Sequence, residues 1–529
     1  MSPAPAPSHD GWPPGVCARF ALLLWVTYAY FIAAPSWNPN AHFDLTLSLV
    51  EYGRLDIDPY HHNTGDKATH GGHVFSDKAP GLSFLAALPY AVFRAGWRAL
   101  GGAPPQVVAI GRGGRFDAGA VRGDGDDDVL LNPSFRFGLY VATVFTSGLA
   151  VAALGGLLLA LGRQAGLSRP VATAAAMGAC LGTLLFPYAT SLHGHAVAAA
   201  LAFASFGILA LEPPASRDDG TPPFRPRRLA WAGLCGGTAV TCEWPAALAL
   251  AAVSVWVVAR AVRPTGWRHV TRLWPFVGAA AFPLALALLY NTAAFGGPFR
   301  LGYGHLHRDE FAAGMGRGLF GIGWPSPLVM LKQTFGRSRG LFYTTPLLLF
   351  ATLGLCTWRR RTRAWPDVPA VAGFTVVSSL FLSAGYYMWW GGAALGPRHV
   401  IFALPFWAMG LLVTWREPPE PGGQGPESRA HRWYRQGAFA AWSLSILNML
   451  LGTAVGLEAP LTSDVLFRYV YPSTAMGHVP SLPGASNLGR LVGLSGALSL
   501  LPLVALWLIY ISRVWPLFVP AARSRGPHE

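Results

Sequence analysis

Apolar runs long enough to cross a bilayer recur from one end of this 529-residue chain to the other. They cover roughly 17–34, 137–161, 170–189, 195–212, 229–242, 246–261, 273–294, 341–357, 369–387, 400–414, 434–456 and 490–512. A helix needs about 20 apolar residues to span the hydrocarbon core. Lipid satisfies no backbone polar group, and the alternation of barrel strands is absent, so the runs predict helices. The two short runs near 229–261 turn at Cys242-Glu243-Trp244-Pro245. A further run at 82–100 carries Pro89, Arg94 and Arg98, which suits a helix lying at or dipping into the interface. The expected fold class is an all-α integral membrane bundle of about 12 transmembrane helices, with juxtamembrane helices outside.

Composition agrees. Hydrophobic residues make up 52% of the chain and charged residues only 12%, where a soluble domain carries about 25%. Mean hydropathy is +0.36. The net charge of +15 would suggest nucleic acid in a soluble protein. Here most arginines sit in short loops between apolar runs, as the positive-inside bias requires, and nucleic acid is not expected as a partner. Five cysteines lie in or beside apolar runs without paired spacing and read as small buried hydrophobes. Met1 to Gly15 is Pro-rich and lacks a basic leader region, so the first run reads as a retained span.

Orientation follows from the basic loops. Arg359, Arg360, Arg361 and Arg363 form the clearest cytoplasmic anchor, and loops with Arg163/Arg169, Arg225/Arg227/Arg228 and Arg260/Arg263 fall on the same side. Of the two parities, the one with fewer violations puts 35–136, 295–340, 388–399 and 457–489 outside. Residues 1–16 and 513–529 are then cytoplasmic tails, flanking one membrane domain over 17–512. The multi-pass protein is expected in a bacterial cytoplasmic membrane, its polar chemistry on the extracytoplasmic face. The stretches 111–128, with its Asp cluster, and 415–428 read as mobile loops. No internal repeat and no pair of matching hydropathy halves is present.

Polar candidates gather on the outer loops. Asn38-Pro39 reads as an N-cap with Pro at the first helical position. Beyond it Phe43, Leu47 and Val50 share one face, and Asp44, Ser48 and Glu51 the other. This predicts an amphipathic helix on the membrane surface, its polar face solvated unless Asp44 has chemistry to do. Lys78, before Ala79-Pro80-Gly81 at the entry of an apolar helix, suits either a lipid phosphate or simple snorkelling. Glu243, between two apolar runs, is costly unless it faces a cavity, a partner or solvent at the turn. His193 and His195 fit a metal pair, a helix cap or packing. Arg398 and His399 fit an anion site or a membrane-edge anchor. The loop with Arg308, Lys332, Arg337 and Arg339 breaks the positive-inside trend, as a surface receiving anionic lipid or glycan phosphate would.

Taken together, Asp44 on the helix after the first span, and Ser76-Asp77-Lys78-Ala79-Pro80-Gly81 before the next, resemble polyprenyl-phosphate-dependent glycosyltransferases of the GT-C fold. These include the protein O-mannosyltransferases and the aminoarabinose transferase of lipid A. Tyr188 to Ala196, Tyr290-Asn291 through Phe299, Arg339 to Phe342, and Gly396-Pro397-Arg398-His399 resemble elements of a bacterial branch, so the likeness runs over roughly 17–410. Two departures stand out. The usual Asp-Glu pair is Asp44-Leu45, and Ala79 replaces a common proline.

The resemblance implies transfer of a single sugar from a polyprenyl-phosphate donor to a glycan, lipid or protein acceptor, with inversion. Asp44 would be the base, with Asp66 or Asp77 as the alternative acid. Lys78 and Arg398 would hold the donor phosphate, near His193, His195, Glu243 and His399. The lipid-linked sugar is a co-substrate, and need for a divalent metal is left open. Two rivals stand beside this reading: a flippase for lipid-linked glycans, and a catalytically degenerate assembly partner. A flippase predicts mid-span charge and matching halves, which the sequence lacks.

Overall fold

The computed structural model describes residues 12–111, 120–123, 128–212, 224–416, 429–479 and 484–514. Asp124, Asp126 and Asp127, most of 415–428 and much of both tails lie outside the described residues. Among the described residues, six helices are long and apolar enough to cross a membrane: Pro133–Gln164, Trp244–Arg263, Val270–Phe295, Val368–Gly385, Arg432–Val455 and Gly496–Arg513. Two shorter apolar helices, α1 (Val16–Ala29) and one over Gly194–Ala210, accompany them.

The expected span 229–242 is one helix, Pro226–Cys242, whereas three others are broken where the sequence supplies the breaks. The run 170–189 divides into Arg169–Leu181 and Leu185–Ala189, with Gly182 and Thr183 between. Pro346 separates Leu341–Thr344 from Leu347–Arg361. The run 400–414 is a tight turn followed by Leu404–Ala408 and Leu411–Thr414, buried throughout. Irregular backbone at membrane depth survives only when protein covers it, and these segments form core.

The helix after the first span departs from expectation. It is α2 (Trp37–Leu47), capped by Ser36 in extended conformation rather than by Asn38. Pro39 takes the third helical position, where an absent N–H costs nothing because first-turn donors have no helical partner. Every residue from Asn38 to Leu47 is buried, so the expected half-solvated surface helix is not found. Its cover comes from the following chain. The hairpin of β1 (Lys67–His70) and β2 (His73–Ser76) pairs Lys67 with Ser76 and turns on Gly71 and Gly72, both at positive φ. That conformation suits the two-residue turns of twisted hairpins. The helix α3 (Gly81–Ala99) buries Leu82, Ala86 and Tyr90 and leaves Leu85, Leu88 and Val92 exposed. Glu51, expected on a solvated face, accepts from Tyr90 Oη at 2.6 Å and pairs with Arg94 at 2.9 Å.

Part of the expected loop 111–128 belongs to a three-stranded antiparallel sheet, in which Asp128–Leu131 lies between Val107–Gly111 and Ala120–Arg122. The buried alternate residues Val129 and Leu131 explain the strand. A two-residue sheet joins Phe31–Ile32, just beyond α1, to Ser486–Asn487. All five cysteines are free.

Two helices set the position of the site. These are α4 (Gly194–Ala210), buried along nearly its whole length, and α5 (Pro226–Cys242). Gly233 and Gly237 of α5 lie directly on helix 274–295, where a Cβ at Gly233 would sit 2.8 Å from the Phe276 carbonyl carbon. Small residues four apart permit such close helix contact without lipid between.

Candidate active site

Four segments converge because glycines let backbones approach. The hairpin delivers the chain to Asp77 and Lys78. A third segment extends it, with Thr69 N–H donating to His305 O at 2.8 Å and His307 N–H to Lys67 O at 3.0 Å. Gly302 at the head of that segment would, with a Cβ, meet Asp77 Cα at 2.9 Å. Gly81, where α3 begins, would meet the Thr241 carbonyl at 2.6 Å, so the Lys78 turn rests on the end of α5. Gly194 opens α4 against the same end, where a Cβ would lie 2.9 Å from Glu243 Oε1.

Between them lies a cavity of about 370 Å³. Its polar lining is Asp66, Asp77, Lys78, His195, Glu243 and Arg398, with His399 and Tyr303. Its apolar lining includes Trp244, Leu248, Phe311, Met315, Phe320 and Ile322. Lys78 Nζ is 3.0 Å from Asp66 Oδ2 and 3.2 Å from Asp77 Oδ1. Burial works against the Lys78 charge, but these two carboxylates outweigh it and raise its pKa. Asp77 is pushed up to about 6, by burial above all, with Lys78 opposing. Arg398 is likewise penalised by burial and favoured by Tyr188, Asp66 and Glu243, and its pKa ends above the ordinary arginine value. Its Nε has no hydrogen-bond partner among the described residues.

The surrounding imidazoles are kept neutral. Burial, aided by Arg398, brings His399 to about 3 and His193 well below its usual value. His42 is brought by burial to about 3. His195 differs in having a carboxylate partner, its Nδ1 lying 2.6 Å from Glu243 Oε1.

The cavity thus brings together Lys78, Arg398, Asp66, Asp77, His195, Glu243 and His399. His193 is buried just behind, its Nδ1 3.0 Å from Ser191 Oγ. The Nδ1 atoms of His193 and His195 are engaged separately, on Ser191 and Glu243, and the ring centroids are 6.1 Å apart. Asp44 does not line the cavity. Its Oδ1 accepts from Asn63 Nδ2 at 3.0 Å, Oδ2 has no partner among the described residues, and burial holds the carboxyl well above the usual carboxylate range. Arg339, expected on an anion-receiving surface, is fully buried; its Nη2 donates to the carbonyls of Gly392, Ala459 and Pro460 at 3.1 to 3.3 Å.

Asn38, His42, Tyr303, Tyr386 and Tyr387 escaped the sequence reading. One signal was available, since Asn38 and His42 stand one turn apart on α2 and share a face that Asp44 does not. Away from the cavity, Asp56, Asp58 and His73 bring possible metal-ligand atoms within 4.8 Å of one another. Arg54 already pairs with both aspartates, at 2.9 and 3.2 Å.

No family model matches this chain, and no curated protein matches it. Among solved structures it is similar to the apo oligosaccharyltransferase of Archaeoglobus fulgidus, with a TM-score of 0.42 and 10% identity over 85% of this chain and 57% of the other. The chain therefore spans a little over half the length of that enzyme. It is also similar to ArnT from Cupriavidus metallidurans. The apo form gives a TM-score of 0.41 and 12% identity over 87% of this chain and 78% of ArnT. The form bound to undecaprenyl phosphate gives 0.41 and 12%, over 83% and 75%. Likeness of this extent assigns no activity.

Proposed function

We propose that this protein is a membrane glycosyltransferase that moves one sugar from a polyprenyl-phosphate donor to an acceptor on the extracytoplasmic side, with inversion at the anomeric carbon. One observation carries the reading. A single cavity is lined by two cations, Lys78 and Arg398, and by apolar side chains that include Leu248, Phe311, Phe320 and Ile322. That pairing matches a ligand with an anionic group on a long hydrocarbon chain, which neither a soluble sugar nucleotide nor a neutral lipid would need.

The chemistry follows from the groups present. A sugar on a lipid phosphate departs easily only if the phosphate's developing charge is stabilised. Lys78 supplies a point charge and Arg398 a planar fork suited to phosphate oxygens. Without donor, Asp66 and Asp77 hold the Lys78 ammonium in place and stand in for the phosphate it would meet. Donor binding replaces part of that pairing, and the raised pKa of Asp77 makes it the carboxylate more ready to take a proton as the phosphate enters.

The test is direct. Purified protein in nanodiscs is given radiolabelled polyprenyl-phosphate sugars, with undecaprenyl carriers first, and an envelope extract as acceptor. Label should move to the acceptor with wild type and fall at least about 100-fold with Lys78→Ala. Transbilayer movement of the donor without label transfer would instead make the protein a flippase.

A further inference from the structure

Transfer also requires that the acceptor hydroxyl lose its proton, and the cavity contains three carboxylates: Asp66, Asp77 and Glu243. Two of them are paired with the lysine that the donor phosphate needs. Glu243 is not. Its one ion-pair partner is an imidazole, with His195 Nδ1 at 2.6 Å from Oε1. Its side chain keeps 18% exposure. Glu243 lines the cavity. The carboxyl is held below its ordinary range: burial raises it, but His195, by its charge and its hydrogen bond, leads the groups that outweigh that. It is therefore an anion at neutral pH, held by His195 on Oε1 and facing the cavity.

Resting on the glycosyltransferase reading, we infer that Glu243 is the general base and that His195 positions it. The backbone is shaped for this pair. Glu243 leaves α5 in extended conformation at φ −152°, which turns its side chain back toward the first turn of α4. Gly194 leaves room there, since any side chain would collide with Oε1. In the step itself the acceptor oxygen bonds to the anomeric carbon while its proton passes to Glu243 Oε2. The bond between that carbon and the phosphate oxygen breaks, and its electron pair leaves on the lipid phosphate toward Lys78 and Arg398. His195 keeps its Nδ1 proton on Oε1 throughout. It touches no reacting atom and acts as a positioning residue.

The experiment compares wild type, Glu243→Gln, Glu243→Ala and His195→Gln in nanodiscs, with sugar transfer, binding of undecaprenyl phosphate, and azide as a substitute acceptor. Azide is an anionic nucleophile with no proton to lose. Glu243→Gln should lose about 10²- to 10⁴-fold in transfer to a hydroxyl while binding undecaprenyl phosphate within about twofold of wild type. Glu243→Ala should form the glycosyl azide when azide is added, a rescue that a merely structural role would not give. His195→Gln removes a group that lowers the Glu243 pKa, and activity needs the ionised carboxylate, so the acid limb of its pH profile should move to higher pH. The groups facing Glu243 (His42, His399, Tyr303 and Arg398) are unchanged in that variant and provide the common background. Undiminished transfer by Glu243→Gln would overturn the assignment while leaving the transferase intact. Loss of transfer together with lipid-phosphate binding, unrescued by azide, would overturn it as well. A wild type inert with every donor would overturn both readings.

Discussion

Arg339 and Arg398 are two arginines taken out of water on loops that touch, and their environments differ in kind. Arg339 is enclosed, with Nη2 shared among three carbonyls from two separate segments. Arg398 lines a cavity, where burial opposes its charge and Tyr188, Asp66 and Glu243 favour it; the Nε of each arginine has no partner among the described residues. A buried cation held by backbone carbonyls is part of the scaffold. One that faces an accessible volume is placed to meet a ligand. The comparison also has a division of labour, because Arg339 fixes Gly392 and so holds the loop that presents Arg398.

The carboxylates repeat the contrast. Asp44 is sealed and biased toward its neutral form, whereas Asp66, Asp77 and Glu243 face the cavity. Substitutions can break or sharpen both halves of the comparison. The largest effect is expected from Arg398→Ala, with sugar transfer down about 100-fold or more and a melting temperature close to wild type. Arg398→Lys should recover only part of it, since a point charge lacks the fork geometry. Arg339→Met should do the reverse, costing about 3 kcal/mol of stability in thermal unfolding while the protein that remains folded transfers sugar normally. If Arg339→Met instead abolished turnover in folded protein, the scaffold assignment would fail.

Asp44→Asn is nearly isosteric with the neutral carboxyl and should change kcat by no more than about threefold, with stability moving by about 1 kcal/mol. A collapse of turnover there would return the base to α2. The smallest effect is expected from Asp58→Asn, at a partly exposed pair with Arg54 and His73. It should shift stability by less than about 1 kcal/mol and leave transfer unchanged.

Much of this was legible in the sequence because hydropathy and charge act locally. The long apolar helices follow from run length, and Lys78, His195, Glu243 and Arg398 were conspicuous because each is costly beside an apolar run unless it has a purpose. What could not be read was burial imposed from a distance. The polar face of α2 resembles a solvated face in isolation, and only the hairpin and α3 folding over it turn Asp44 inward. Arg339 looked like a surface cation because its three carbonyl partners lie more than fifty residues along the chain. The broken segments around 182, 346 and 405 had the composition of spans, and their breaks were tolerable only because neighbouring helices cover them.

The short pairing of Phe31–Ile32 with Ser486–Asn487 has a bearing on biogenesis. The first helix leaves the ribosome long before its strand partner, with everything from residue 33 to residue 485 made in between. Arg339, likewise, waits for Ala459 and Pro460 before the Arg398 loop is fixed. Lys78 and Glu243 emerge early, yet Arg398 joins their cavity only after much more of the chain has been made. A nascent chain inserted in the membrane therefore carries Lys78 on Asp66 and Asp77, and Glu243 on His195, well before it holds the guanidinium that a lipid phosphate would meet.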